Sequence, residues 1–234
     1  MPKEQVLLSE IFGPVMIGPS SSHTAGVGRI AFLARKIFGP APQRAVVRFY
    51  GSLAATWKGH GSGDAAAAGL LGISPEDERL FRGRALLQEL QAAGKGFPLT
   101  IETATSLPPS WHPNSLILEL YGKPDDPSLC IRGASIGGGS ICIDEINGYG
   151  VHLSGESETI LVLHYDAIGV IAEVTHLLAA HHINIAGTSC HRKERGGEAL
   201  WVVETDEPVQ PAIITRIQEL PSIRRVLSVP LLTL

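Results

Sequence analysis

A cluster of hydroxyl and imidazole side chains stands directly before a helical pattern near the N-terminus. Gly18-Pro19 leads into this cluster, which is Ser20, Ser21, Ser22, His23 and Thr24. Apolar residues at helical spacing follow, and Gly39-Pro40 supplies a stop, so a helix is predicted over residues 25–38. The unpaired N–H groups of a first helical turn favour a carboxylate or phosphate, and the hydroxyls can complete such a site. Alternatively, one hydroxyl merely caps the helix, which leaves the other three and the imidazole without a role.

A glycine-rich segment carries the second group of side chains that could do chemistry. It reads Lys58-Gly59-His60-Gly61-Ser62 and places a cation and an imidazole on backbone that can approach a ligand closely. Proton transfer or carboxylate binding is the functional interpretation. A flexible turn whose histidine faces water is the other.

Three further turns carry candidate binding groups. Asn114 ends the sequence Trp111-His112-Pro113-Asn114 before an apolar strand, and Gly137-Gly138-Gly139 could be either a hairpin turn or a nest of N–H groups for an anion. In the C-terminal third, Asp166 to Gly169 joins a strand to a helix, and Asn184 follows that helix. This corner either binds an amino acid or is shaped only by a helix cap and a turn.

Composition restricts the class of protein. The 234 residues are 44% hydrophobic, enough for two modest domains, and the net charge of −4 with scattered basic residues gives no indication of nucleic acid or membrane binding. The first apolar run, residues 6–8, is too short for a signal peptide, so we expect a cytoplasmic protein. Cys130, Cys142 and Cys190 lie far apart, which predicts reduced thiols rather than an iron–sulfur cluster on this chain. No zinc-binding spacing occurs, and a metal hydrolase is therefore disfavoured.

The elements that must position these groups predict an α+β fold with two domains. The first, residues 1–147, is an α/β domain of substrate-binding type, and residues 148–157 are turn-rich and predict a linker. The second, residues 158–234, has a βαββαβ pattern with helices on one face of an antiparallel sheet. In the first domain, Ser74 and Pro75 predict the start of a helix that runs to Leu90.

The order and spacing of these motifs resemble the β subunit of the iron–sulfur-dependent L-serine dehydratases over almost the whole chain. The C-terminal unit resembles an ACT domain, and the N-terminal region is also similar to a domain of some phosphoglycerate dehydrogenases. The motifs that carry the first resemblance are residues 18–24, Tyr50-Gly51-Ser52, Lys58-Gly59-His60-Gly61, residues 69–75, His112-Pro113-Asn114 and residues 135–139.

The resemblance implies a lyase that eliminates water from L-serine and acts in amino-acid catabolism. It further implies that a [4Fe-4S] cluster is held by three cysteines of an α subunit, so that this chain alone is inactive, and we expect a homodimer joined with α subunits. The catalytic residues would be His60, His23 and Lys58. The substrate-binding residues would be Ser20, Ser21, Ser22, Thr24, Gly137, Gly138 and Asn114, and an effector would bind at Asp166, Gly169 and Asn184.

Two segments depart from the family pattern. The family loop usually reads Thr-Gly-Lys-Gly-His-Gly-Thr-Asp, whereas this chain has Trp57 at the first glycine and Ser62-Gly63 before Asp64. The ACT turn usually reads Asp-x-Pro-Gly, whereas this chain has Ile168 at the proline.

The rival hypothesis is a regulatory subunit that senses L-serine or another small anion and catalyses no reaction.

Overall fold

A computed structural model describes residues 20–123 and 128–232, so Gly18 and Pro19 lie outside the described part. The chain divides into two compact units, one ending at Ile143 and one beginning at Asp144. Both mix helices and strands, which confirms the predicted α+β class. Within the described ranges no helix is long and apolar enough to cross a membrane.

The first unit packs helices against a mixed sheet. A π-helical turn, Ser21–Ala25, leads into the first helix, and the strand order in the sheet of this unit is β2-β1-β3-β4-β5. Strand β1 pairs parallel with β2 and antiparallel with β3. The elements are α1 (Gly26–Phe38), β1 (Arg44–Phe49), α2 (Gly51–Thr56), α3 (Ser62–Leu70), a 3-10 turn (Glu78–Arg82), α4 (Gly83–Ala92), β2 (Leu99–Thr103), β3 (Ser115–Tyr121), β4 (Leu129–Gly137) and β5 (Ser140–Ile146).

Glycines allow α1 and α3 to approach backbone to backbone. A Cβ atom on Gly69 of α3 would lie 2.5 Å from the carbonyl oxygen of Gly28 and 2.7 Å from the amide nitrogen of Phe32, both in α1. Alanines 65 to 68 of α3 are fully buried, so small side chains hold the two helices close. Helix α1 also packs on β3 and β4, with Ile30 and Leu33 fully buried.

The second unit has the predicted βαββαβ order. Its sheet runs β10-β7-β9-β8 with antiparallel pairing throughout, and its two helices share a core with Val162, Trp201 and Val203 of the sheet. This arrangement is the ferredoxin-like fold of an ACT domain. The elements are β6 (Tyr149–Leu153), β7 (Glu158–Tyr165), α5 (Val170–Ala180), β8 (Ile185–Arg192), β9 (Glu198–Thr205), α6 (Pro211–Gln218) and β10 (Ile223–Val229).

The segment expected to be a linker contains strand β6. Its side chains alternate in burial, with Tyr149, Val151 and Leu153 buried and the intervening positions exposed. This strand packs on β8 and β9, so it covers apolar surface of the second unit. Glycines at positions 148 and 150 favoured the prediction of a turn-rich linker, although residues 149–153 alternate between buried and exposed positions.

One local sequence prediction, the start of a helix at Ser74 and Pro75, was wrong. The helix predicted from Pro75 begins later, because the Asp77 side chain accepts from the Arg79 amide at 2.9 Å and caps a 3-10 turn before α4. A Cβ atom on Gly83 would lie 2.0 Å from the Asp64 carbonyl oxygen, so α4 starts where the chain passes tightly over α3. The small-residue segment after β1 forms helix α2, for which the sequence pattern made no prediction.

Candidate active site

His23 lies in the π-helical turn before α1 with both ring nitrogens in hydrogen bonds. Its backbone N–H donates to the Ser20 hydroxyl at 3.2 Å, so Ser20 caps this turn. Its Nδ1 lies 3.0 Å from the Ser22 Oγ and 3.2 Å from the Ser20 Oγ. Its Nε2 lies 3.2 Å from the Ser52 Oγ at the start of α2. The serine cluster therefore surrounds an imidazole as well as capping a helix.

His60 lies in the turn before α3, beside His23. The two ring centroids are 4.8 Å apart at an interplanar angle of 60°. The fully buried Thr24 donates its hydroxyl to the His60 carbonyl oxygen at 2.7 Å, which ties this turn to the start of α1. The N-terminal cluster and the glycine-rich segment, which the sequence treats as separate candidates, thus form one site.

Three buried polar atoms of the described residues lack a hydrogen-bond partner, and all belong to this region. They are His60 Nδ1, Ser62 Oγ and Ser135 Oγ. Buried polar groups are almost always paired, so an unpaired group points to a ligand or a catalytic role. Three such atoms near two imidazoles are consistent with a polar ligand that completes their hydrogen bonds.

The electrostatics of the site favour a neutral His23. Burial lowers the pKa of His23 below its ordinary value, and the nearby His60 imidazole lowers it further, because two positive rings would repel. A lowered pKa favours the neutral form of His23 at neutral pH. A neutral imidazole has one N–H donor and one acceptor nitrogen, which matches hydrogen bonds at both ends of the ring.

Ser52 and Asn114 extend the network from His23. The Ser52 hydroxyl donates to the Asn114 Oδ1, and the Asn114 Nδ2 donates to the Ser135 carbonyl oxygen at 3.3 Å. Gly51 allows the start of α2 to lie against the backbone of Pro113. Its φ is +52°, and a Cβ atom there would lie 2.3 Å from the Pro113 carbonyl oxygen. Ser52 and Ser135 were not among the predicted site residues. A glycine and a serine directly after an apolar strand were the available signal for Ser52.

The comparisons with known proteins agree with this geometry. Residues 8–146 match the serine dehydratase beta chain family. This chain belongs to that family. Residues 159–222 match the ACT domain, so both parts of the predicted resemblance are confirmed.

Two relatives named as beta chains align over nearly their full lengths. A protein of Bacillus subtilis named "Probable L-serine dehydratase, beta chain" is 41% identical over 93% of this chain and 94% of its own length. The "L-serine dehydratase, beta chain" of Peptoniphilus asaccharolyticus is 35% identical over 89% of this chain and 90% of its own. A "D-3-phosphoglycerate dehydrogenase" of Methanocaldococcus jannaschii is 31% identical over 47% of this chain and 21% of its own.

Several predicted site residues of this serine dehydratase beta chain lie outside the hydrogen-bonded network. Lys58 is exposed, with its Nζ 5.5 Å from the centroid of the Trp57 ring. Gly137 ends β4 and Gly138 lies in the exposed turn before β5, with φ of +115° and +59°, so a hairpin accounts for both. No hydrogen bond among the described residues joins these three, or the Ser21 side chain, to either histidine.

The altered family loop has a structural explanation. Asp64 forms an ion pair with Arg84 at 2.8 Å and also accepts from the Arg84 amide at 3.2 Å, so it holds the start of α4. Trp57 fills space between Phe49, at 6.1 Å between centroids, and the Arg84 guanidinium, at 5.8 Å. The Asp64 carboxylate therefore joins α3 to α4.

The predicted effector residues Asp166 and Asn184 of the ACT unit have separate hydrogen-bond partners. Asp166 pairs with Arg192 at 2.6 Å and accepts from the Gly196 amide at 3.0 Å, near the end of β8. Asn184 precedes the start of the same strand and donates to Asp206 at 2.7 Å. Gly169 caps α5 with a φ of +95°, which suits the left-handed backbone at that turn.

Within the described ranges, no group of three or more His, Cys, Asp or Glu side chains is placed to hold a metal ion. Cys130 and Cys142 are half-buried, whereas Cys190 is exposed in the other unit with its Sγ 3.6 Å from His164 Nε2. Within the described residues these thiols therefore do not fit an iron–sulfur cluster.

Proposed function

We propose that this chain is the β subunit of an L-serine dehydratase and that it completes an active site shared with an iron–sulfur α subunit. The observation that carries the proposal is the His60 imidazole, whose buried Nδ1 has no partner among the described residues although it lies at the serine cluster. The relatives named L-serine dehydratase, beta chain, align over about nine tenths of their lengths, which supports the same reaction here.

The reaction requires one proton to leave carbon and one hydroxyl to leave its neighbour. The Cα–H and Cβ–O bonds of L-serine break, a Cα=Cβ double bond forms, and water departs. The resulting aminoacrylate then takes up water to give pyruvate and ammonia. An imidazole can accept and return a proton near neutral pH, which is the exchange that this chain would contribute.

We assign the proton exchange to His60 and substrate binding to the groups around it. Ser20, Ser21, Ser22 and Thr24 stand at the start of α1, where N–H groups and hydroxyls suit the substrate carboxylate. Ser62 and Ser135 offer further unpaired hydroxyls. Lys58 stays outside the proposed acid–base pair, because its ammonium lies over Trp57 rather than at the histidines.

The proposal places the [4Fe-4S] cluster on the α subunit. Such a cluster with one open iron acts as a Lewis acid toward a leaving hydroxyl. We further propose that the chain forms a homodimer within the complex, since the edges of so small a sheet as that of the ACT unit favour being covered, and that the complex is cytoplasmic.

A second candidate function is regulation by an amino acid. The ACT domain at residues 159–222 favours it, because the predicted effector residues belong to that domain. In this alternative the chain senses L-serine or another small anion, and the α subunit performs the elimination alone.

The two functions differ in a reconstitution experiment. We expect anaerobic pyruvate formation from L-serine only when this chain and the α subunit are mixed. His60→Ala should abolish turnover while gel filtration still shows an assembled complex. The matched control is His176→Ala, which removes an exposed imidazole of α5 and should leave turnover unchanged. Full turnover by the α subunit alone would favour the regulatory function.

A further inference from the structure

The orientation of the Asn114 amide decides which way the Ser52 hydroxyl points. Because the Asn114 Nδ2 donates to the Ser135 carbonyl oxygen at 3.3 Å, its Oδ1 faces Ser52 as an acceptor. The Pro113 carbonyl oxygen, the other neighbour of the Ser52 Oγ on this side, lies at 3.5 Å and is also an acceptor. The single Ser52 proton is therefore directed at a carbonyl oxygen in either case.

This direction fixes the proton on His23. The Ser52 Oγ can present only a lone pair to His23 Nε2, 3.2 Å away, so that nitrogen must carry the hydrogen. In a neutral ring Nδ1 is then the acceptor, and it receives the hydroxyl of Ser22 at 3.0 Å or of Ser20 at 3.2 Å. Every group around the ring agrees with one tautomer.

We propose that Ser52 and Asn114 are positioning residues that hold His23 as its Nε2–H tautomer and so leave His60 as the imidazole available for proton exchange. The proposal rests on the function proposed above and separates the roles of the two histidines. It also explains why Ser52 follows a glycine that allows backbone contact with Pro113. The hydrogen bonds from Asn114 through Ser52 to His23 require α2 to lie against the turn before β3.

The experiment reads the tautomer directly. The full chain is labelled with ¹⁵N in its histidine rings, and the His23 signals are assigned by their loss in His23→Gln. At pH 7.5 we expect a protonated Nε2 and an unprotonated Nδ1. Ser52→Ala removes the acceptor, so the two nitrogen shifts should move toward each other as the tautomers mix.

Two variants separate positioning from folding. Ser52→Thr keeps the hydroxyl and should retain the wild-type shifts. Asn114→Leu leaves only the Pro113 carbonyl oxygen, at 3.5 Å, to accept the Ser52 proton and should mix the tautomers in part. Ser74→Ala, which removes an exposed hydroxyl of the same unit, is the matched control and should change nothing. In the reconstituted complex Ser52→Ala should lower kcat by about 10²-fold, the loss typical of misplaced groups, and Ser52→Thr should restore it.

Two outcomes would overturn the proposal. One is a wild-type His23 that is protonated on Nδ1, and the other is a Ser52→Ala spectrum with unchanged His23 shifts. Both are measured on the chain without its partner, so they are independent of turnover. An inactive reconstituted complex with the expected tautomer would instead count against the proposed function alone.

Discussion

At the scale of residues, His23 and His60 differ in the hydrogen bonds that their rings make. His23 has hydrogen bonds at both ring nitrogens, whereas the His60 ring has none among the described residues and lies tilted beside His23, with the ring centroids 4.8 Å apart. A ring with both nitrogens occupied is poorly suited to take a proton from a substrate. The difference in roles therefore follows from the neighbours and not from the residue type.

Thr24 offers a test of how the His60 turn is held. Thr24→Val keeps the shape of the buried side chain but leaves the His60 carbonyl oxygen without its donor, so it should lower the free energy of unfolding by about 1–3 kcal/mol. Thr24→Ser retains the hydroxyl and should lose about 1 kcal/mol for the methyl group. Urea unfolding of the full chain measures both. A Thr24→Val chain as stable as the unsubstituted chain would show that the hydrogen bond contributes nothing.

At the scale of elements, the contact between α1 and α3 sets the frame of the site. Gly69→Ala would force its Cβ against the backbone of α1, so the helices must separate, and we expect a loss of about 1–3 kcal/mol in the free energy of unfolding. Gly59→Ala is the control, because the atom nearest to its Cβ would be 3.8 Å away. Chemical denaturation compares the two variants. A Gly69→Ala chain as stable as Gly59→Ala would contradict the tight contact.

The sequence predicts elements well where the pattern is local. The strands and helices of the ACT unit follow the alternating and helical spacing of their own residues, and the structure confirms them to within about two residues at most ends. Strand β6 and helix α2 were missed because they are short and owe their burial to packing on distant segments. In the site, the sequence alone identifies His23 and His60 as candidates, because imidazoles can transfer protons. Ser52 and Ser135 are recognised only in the structure, where α2, β3 and β4 bring them together.

At the scale of the whole molecule, stability should fall with acidification in two ranges. His23 has a lowered pKa in the folded chain, so the unfolded chain binds more protons, and stability falls as pH drops below about 6.5. Hydrogen bonds from Arg79 lower the pKa of Asp77 to about 2, and the Gly196 amide and Arg192 lower that of Asp166. The stabilisation from both carboxylates is present above the ordinary aspartate pKa of about 4 and is lost as pH falls below it; for Asp77 the loss continues to a pH of about 2.

Urea midpoints between pH 8 and pH 2 check this prediction. His23→Gln should flatten the fall just below neutral pH, and Asp77→Asn should flatten part of the fall in acid. Glu76→Gln is the control, since this exposed neighbour makes no hydrogen bond or ion pair with a described residue. The prediction fails if the control flattens the acid range as much as Asp77→Asn.

The parallel pairing of β1 and β2 has a consequence for how the chain reaches its native state. Ala45 pairs with Leu99, and the whole of α2, α3, α4 and the His60 turn lies between these partners in the chain. Parallel strands cannot be joined by a hairpin, so a long crossover connection, here the one that contains the helices, must join β1 to β2. Closing a loop this long before its contacts form is entropically costly and slows folding. Refolding should therefore complete the second unit, with its antiparallel neighbours, before the two histidines meet.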